Sequence, residues 1–336
     1  MQEAILYERR EDQSVRCFLC SFRCVIPPGK RGNCTVRYND GGVLRSAVYG
    51  RLIARHMDPM EKKPLYHFLP GTLSYSIATP GCNFRCSFCQ NWQISQPDLN
   101  TAFDRLPYTE PEEIVRKAVS GGAHSISYTY TEPTIFMEYA LDCARLAKEK
   151  GLRNVFVTNG YQTPEAVKEM KGLIDAANVD LKAFSDDFYK SRCKARLQPV
   201  LDAIKCMVEA GIHIEVTTLV IPGLNDSEEQ LKGIAHFLAS LSKDLPWHIS
   251  RFHPDYKELS LPPTPLETLR RAASYGKEAG LRYIYLGNVL TDEGQNTYCP
   301  SCGAVLIERR GFGWTVLNLK EPKCPLCGYE IPVVLA

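Results

Sequence analysis

Cys82, Cys86 and Cys89 stand in the run Thr79-Pro80-Gly81-Cys82-Asn83-Phe84-Arg85-Cys86-Ser87-Phe88-Cys89-Gln90-Asn91-Trp92, spaced C-x3-C-x2-C with no fourth cysteine nearby. Structural zinc closes a tetrahedron with four ligands, whereas the next thiols on either side, Cys34 and Cys143, lie far off in sequence. Three local thiolates suit a [4Fe-4S] cluster with one iron left open, and an open iron can bind a chelating substrate. The competing reading is a zinc ion completed by a distant residue such as His67 or His124.

Two further cysteine groups flank this one. Cys299-Pro300-Ser301-Cys302-Gly303 and Cys324-Pro325-Leu326-Cys327-Gly328 are paired C-P-x-C-G knuckles around a hairpin expected between Ala304 and Leu319, the pattern of a zinc ribbon. Cys17, Cys20, Cys24 and Cys34 sit on a loop with Pro27, Pro28, Gly29 and Gly32. That set of four suits zinc, the first reading, or an auxiliary [4Fe-4S] cluster. Lys30, Arg31 and Arg37 are expected to form a basic rim beside it. Of the isolated thiols, Cys143 and Cys206 fit helical core positions. Cys193 has Arg192, Lys194 and Arg196 as neighbours, which would lower its pKa and fit it to act on a substrate.

The remaining composition is ordinary: 336 residues, 44% hydrophobic, 23% charged, formal net charge +2. Such balance gives no global field favouring nucleic acid, membrane or an acidic partner. No stretch reaches the length of a membrane span, and Met1-Gln2-Glu3-Ala4 opens no signal-peptide pattern. Fourteen cysteines without a secretory context imply metal rather than disulfides, hence a cytoplasmic protein.

The residues that carry chemistry need a scaffold to converge. Short β-rich runs alternate with helical segments from Ser74 to Leu286, the mark of βα units on a parallel sheet. This predicts an α/β fold, a full or partial (β/α)6–7 TIM-type barrel over 71–292. It stands between a Cys-rich metal-binding module at 1–70 and the ribbon at 293–336. In such barrels reactive groups follow the C-terminal ends of strands. The three central cysteines, Thr131-Glu132-Pro133, Thr158-Asn159-Gly160, Asp180-Leu181-Lys182, Pro222-Gly223-Leu224-Asn225 and His253-Pro254 all fall there.

These motifs together resemble the radical S-adenosylmethionine (SAM) superfamily, within it the pyruvate formate-lyase activating enzymes, and most nearly the radical enzymes of the AmmeMemoRadiSam system. The resemblance implies that Cys82, Cys86 and Cys89 hold a [4Fe-4S] cluster whose open iron chelates SAM. Reductive cleavage then gives a 5′-deoxyadenosyl radical that abstracts hydrogen from a substrate. It also implies cofactor roles for Glu132 (methionine ammonium), Lys182 (cofactor carboxylate), His253 (ribose and carboxylate), Phe88 (adenine), and for Asn159, Asp180 and Asn225, with turn formation the alternative for Asn225. Tyr130 and Thr131 replace glycines of the family motif, and Val157 stands where the activases place an aspartate that helps hold a monovalent cation. Implied partners are a protein or peptide substrate, among them Memo-like proteins, and a flavodoxin- or ferredoxin-type donor. The alternatives are the same chemistry on a small metabolite, and a non-catalytic zinc or iron–sulfur adaptor.

Overall fold

The computed structural model describes residues 1–96, 103, 105–289 and 293–336; the expected boundary at 292 lies outside the described residues. Near the N-terminus, β1 (Gln2–Glu3), β2 (Tyr7–Arg9), β3 (Val15–Cys17), β4 (Val25–Ile26), β5 (Arg37–Asp40) and β6 (Val43–Ser46) build two small sheets, ordered β1-β6-β5 and β2-β3-β4. Strands of two to four residues carry too little periodicity to be read from sequence, and tertiary contact holds them here.

The main sheet has eight strands: β7 (Ala54–Pro59), β8 (Leu73–Ala78), β9 (Ser125–Tyr128), β10 (Arg153–Thr158), β11 (Ala176–Asp180), β12 (His213–Val220), β13 (Trp247–Arg251) and β14 (Ile284–Gly287). Their spatial order follows the chain, with β7 antiparallel to β8 and every later neighbour parallel. Because β7 and β14 end the order unpaired with each other, the barrel is partial. Alternation puts Ser74 and Ser76 opposite Ser125 and Ser127, leaving Tyr75 and Ile77 to the other face. The Ser74 and Ser127 hydroxyls hydrogen-bond at 2.6 Å.

Helices fill the crossovers: the short α1 (Trp92–Ser95) follows β8, then come α2 (Pro111–Ser120), α3 (Met137–Glu149), α4 (Pro164–Met170), the three-residue α5 (Asp186–Phe188), α6 (Leu197–Glu209), α7 (Glu228–Leu241) and α8 (Leu266–Glu278). Their starts follow capping chemistry. Pro111 and Pro164 open first turns, Thr163 accepts from the Ala166 amide and Ser227 from that of Gln230. The C-terminal hairpin expected between 304 and 319 is present as β16 (Val305–Arg310) and β17 (Trp314–Leu317), with β15 (Thr297–Tyr298) beside it. Among the described residues no helix is long and apolar enough to cross a membrane.

Residues 60–69 close the barrel end opposite the central cysteines. Leu65 and Phe68 pack on Val155 and Ala176 near the starts of β10 and β11, and Phe68 bridges Val334 of the C-terminal segment. The Tyr66 and His67 amides donate to the buried Glu215 carboxylate at 3.0 and 2.7 Å. The His67 ring meets the Tyr285 hydroxyl at 2.6 Å and the Pro332 carbonyl at 3.2 Å, while Arg309 of β16 donates to the Tyr66 carbonyl at 2.6 Å.

Burial, opposed by Glu215 and reinforced by His213 and Arg309, holds the His67 pKa down from 6.5 to about 3. Between these two values the unfolded chain binds the proton that the folded one refuses, so stability falls with falling pH, by up to about 1.4 kcal/mol per pH unit. His67→Gln, which keeps both hydrogen-bonding positions, is expected to flatten the slope of denaturation free energy between pH 7 and 5. Identical slopes for the two proteins would show that His67 does not carry it.

Candidate active site and metal centres

The loop after β8 is shaped around one backbone approach. Gly81 has φ +102°, and a Cβ there would stand 2.8 Å from Val36 Cγ1 and 3.2 Å from Ile135 Cδ1, so only glycine fits. Its amide donates to the Ile94 carbonyl at 2.9 Å, folding the cysteine run back on itself. The Phe84 amide lies 3.4 Å from Cys82 Sγ, and the Ser95 hydroxyl 3.2 Å from Cys89 Sγ. Burial first, then the neighbouring acid and thiol charges, push the Cys82 thiol well above its usual range. Such a thiol ionises when a metal takes the place of its proton.

The other strand-end motifs converge on this loop. Glu132, buried, accepts at Oε1 from the Thr134 amide (3.0 Å), the Thr134 hydroxyl and the Thr158 hydroxyl (2.7 Å), and at Oε2 from the Asn159 amide (2.8 Å). Burial raises its pKa; these bonds oppose the rise without cancelling it. The Asn159 side chain donates to Asn83 Oδ1 at 2.7 Å and comes within 3.9 Å of Cys82 Sγ, tying β10 to the cysteine run. Lys182 Nζ sits 3.0 Å from Asp180 Oδ2 and 5.9 Å from the centroid of the Phe88 ring. Burial lowers the Lys182 pKa, but Asp180, Cys86 and Cys193 outweigh it and the ammonium is held charged. His253 reaches the same mouth, with Nδ1 3.2 Å from Gln90 Nε2.

Asn225 is buried and spends its side chain on the backbone. Nδ2 donates to the Lys182 and Leu219 carbonyls at 2.6 and 2.8 Å, and Oδ1 accepts from the Ile221 amide at 2.6 Å. Of its two expected roles, these bonds make the turn. Phe88 packs against Phe188 at 5.6 Å between centroids, beside an open groove of about 590 Å³ whose lining includes Phe188, Arg192, Gly223 and Leu224.

Several expectations change. Tyr130, in place of a motif glycine, adopts φ +61°, so the backbone keeps the left-handed turn that glycine would give; its hydroxyl bonds Asp58, and Lys63 lies 4.6 Å from its ring centroid. Thr158 is absorbed by Glu132 and by Gln162, which donates to its hydroxyl at 2.7 Å. Arg37 is not on a basic rim: it is 1% exposed, paired with Glu138 and 3.4 Å from Cys17 Sγ. Cys193 is buried against Cys86 rather than presented to a substrate. The two histidines considered as a fourth zinc ligand are elsewhere. His67 bonds Tyr285 and Pro332, and His124 is exposed just before β9, away from the strand ends that carry the cysteines. Sequence gave no sign of Arg85, whose guanidinium donates to the Cys82 carbonyl at 2.6 Å and the Asn33 carbonyl at 2.7 Å.

The C-terminal thiols form a separate centre. Cys299 and Cys327 have sulfurs 3.6 Å apart, as do Cys302 and Cys324, and all four lie within 4.8 Å of one another. A tetrahedral ion with Zn–S bonds near 2.3 Å needs sulfurs about 3.8 Å apart. Each knuckle closes alike, with the Gly303 amide on the Cys299 carbonyl and the Gly328 amide on that of Cys324, both at 2.9 Å. Among the described residues this is the one group of three or more potential ligands so tightly spaced.

The Radical SAM superfamily model matches residues 76–238. An uncharacterized protein of Methanocaldococcus jannaschii is 48% identical over 340 residues, covering all of both chains. The pyruvate formate-lyase-activating enzyme of Clostridium pasteurianum is 24% identical over 220 residues, 59% of this chain and 87% of that one. Among solved structures, a radical SAM methyltransferase from Sphaerobacter thermophilus superimposes with TM-score 0.51 at 18% identity, over 65% of this chain and 67% of that one, a likeness of fold.

Proposed function

The chain belongs to the radical SAM superfamily, and we propose that it is an activating-type enzyme that abstracts hydrogen from a protein or peptide. The observation that carries this reading is the convergence of Cys82, Cys86 and Cys89, with neither His67 nor His124 beside them, on Glu132, Asn159, Asp180, Lys182 and His253 at one barrel mouth. Cys82, Cys86 and Cys89 would hold a [4Fe-4S] cluster, which with SAM bound would supply one-electron reductive cleavage to a 5′-deoxyadenosyl radical.

The chain's own residues bind and orient. Glu132 has three donors on Oε1 but one on Oε2, so a carboxylate with about four acceptor sites keeps one free for the methionine ammonium. Lys182, held charged, meets the cofactor carboxylate, a charge-assisted contact. Phe88 offers its ring to adenine, with the Asn225-shaped turn beside it. His253 guards the ribose side. Residues 60–69 seal the far end of the barrel, so the reactive intermediate opens only toward the mouth. The open groove beside Phe188, with Arg192 in its wall, favours an extended macromolecular substrate. So does the relation to activating enzymes. Memo-like proteins and a flavodoxin- or ferredoxin-type reductant are the partners this reading names. Zinc in the C-terminal ribbon is structural.

Anaerobically reconstituted protein with dithionite is expected to convert SAM to 5′-deoxyadenosine and methionine. A candidate peptide deuterated at the target carbon should pass its label into 5′-deoxyadenosine. Protein that binds only zinc and cleaves no SAM would be an adaptor, and label arriving only from a small metabolite would replace the peptide substrate.

A further inference from the structure

The N-terminal thiols are spaced unlike the zinc knuckles. Cys17, Cys20, Cys24 and Cys34 line one small closed cavity with Ile26 and Ile135. No three of their sulfurs lie within 4.8 Å of one another, whereas all four sulfurs of the ribbon do. A single tetrahedral ion draws its thiolates to about 3.8 Å. A cubane carries them on four separate irons at its outer corners and needs wider spacing. The central trio, read above as cubane ligands, shares that wider spacing. The lining also fits. A buried guanidinium, Arg37, reaches Cys17 Sγ at 3.4 Å, a hydrogen bond to a ligand sulfur of the kind that tunes cluster potentials.

This cavity shares a wall with the active-site loop. The Cys34 carbonyl lies 3.6 Å from where a Gly81 Cβ would stand, next to Cys82, and Ile135 touches both places. Arg85 joins the Asn33 carbonyl, next to Cys34, to the Cys82 carbonyl. Val25, Pro27, Pro28, Lys30 and Arg31, chain neighbours of the cavity-lining Ile26 and Gly32, are exposed, so the cavity also adjoins solvent-facing chain.

We infer that Cys17, Cys20, Cys24 and Cys34 hold a second, all-cysteine [4Fe-4S] cluster that relays electrons from a protein donor at the Val25–Arg31 surface to the centre at Cys82, Cys86 and Cys89. Its electron-relay part rests on the function proposed above. Each transfer is one electron: a reduced flavodoxin- or ferredoxin-class donor is oxidised, the N-terminal cluster is reduced and then reoxidised by its neighbour, and no proton or leaving group moves.

Metal analysis and electron paramagnetic resonance of the full chain decide it. The wild type is expected to hold about eight irons and one zinc, four irons per cubane. On reduction it should give two signals, of which SAM shifts only one, because a fully ligated cluster has no iron to offer. The variant with Cys82, Cys86 and Cys89 all changed to Ala should keep about four irons and a SAM-insensitive signal. Cys20→Ala/Cys24→Ala should lose that signal and show a fall in the ratio of flavodoxin-driven to dithionite-driven SAM cleavage. A wild type with about four irons and two zincs, or a single signal wholly shifted by SAM, overturns the cluster. An unchanged ratio overturns the relay. A wild type that carries the SAM-insensitive cluster yet cleaves no SAM sinks the proposed function and leaves the cluster standing.

Discussion

Alanine at any one of Cys82, Cys86 and Cys89 is expected to take SAM cleavage below detection and to remove the iron bound at that loop. The size of the effect follows from what the trio lacks. With His67 engaged by Tyr285 and Pro332, and His124 exposed beyond the opposite strand end, neither histidine is placed to replace a lost thiolate. Losing a mere outer partner of a metal ligand costs about 10–100-fold, so losing a ligand itself should exceed about 100-fold. Cys193 is the one candidate for rescue, since its thiol touches Cys86. The Cys86 variant is therefore the most demanding of the three. Iron content, the SAM-sensitive signal and 5′-deoxyadenosine formation should fall together, while Cys206→Ser on α6 should leave all three unchanged. A Cys86 variant that keeps its cluster and turns over would mean that Cys193 substitutes as ligand; a Cys82 or Cys89 variant that does so removes the trio from the chemistry.

Much of this arrangement was legible in the chain. The alternation of β-rich and helical runs placed β8 to β14 and their crossovers, because buried parallel strands and capped amphipathic helices each carry a local signal. The polar motifs fell at strand ends for the same reason, and the C-P-x-C-G repeats are complete in themselves. What escaped depended on contacts distant in sequence. β7, Ala-Arg-His-Met-Asp-Pro, has no clean apolar alternation and is a strand because it covers the edge of β8. Arg37 looked like a surface base until Glu138, on α3, took it into the interior. Tyr130 reads as a loss of the glycine motif, yet its side chain is anchored by Asp58 from β7 and stands over Lys63, contacts that stabilise a left-handed backbone uncommon for a non-glycine residue. Metal identity was least legible, since four cysteines at loop spacings suit zinc and cubane alike.

Glu132→Gln is expected to lower SAM affinity about 10–100-fold and to cost about 1–3 kcal/mol of stability, with iron content unchanged. The substitution preserves shape and reverses hydrogen-bonding sense at one atom. Glu132 accepts from the Thr134 and Asn159 amides and from the Thr134 and Thr158 hydroxyls, all buried. An amide nitrogen on the Oε2 side faces the Asn159 N–H with another donor, leaving one buried N–H unpaired. Placed on the Oε1 side it strands the Thr134 N–H instead. Hydroxyls can rotate to become acceptors and backbone amides cannot, so no flip of the amide satisfies the site. The methionine ammonium loses its ionised partner at the same time. Thr158→Val separates the two effects, because it removes a brace from the carboxylate but leaves its charge, and should weaken SAM binding far less. Equilibrium dialysis with SAM and thermal denaturation, measured on the same cluster-loaded samples, distinguish the outcomes. If Glu132→Gln binds SAM as tightly as wild type while its melting temperature drops, the carboxylate is a brace between β9 and β10 and the ammonium must find another acceptor at the mouth.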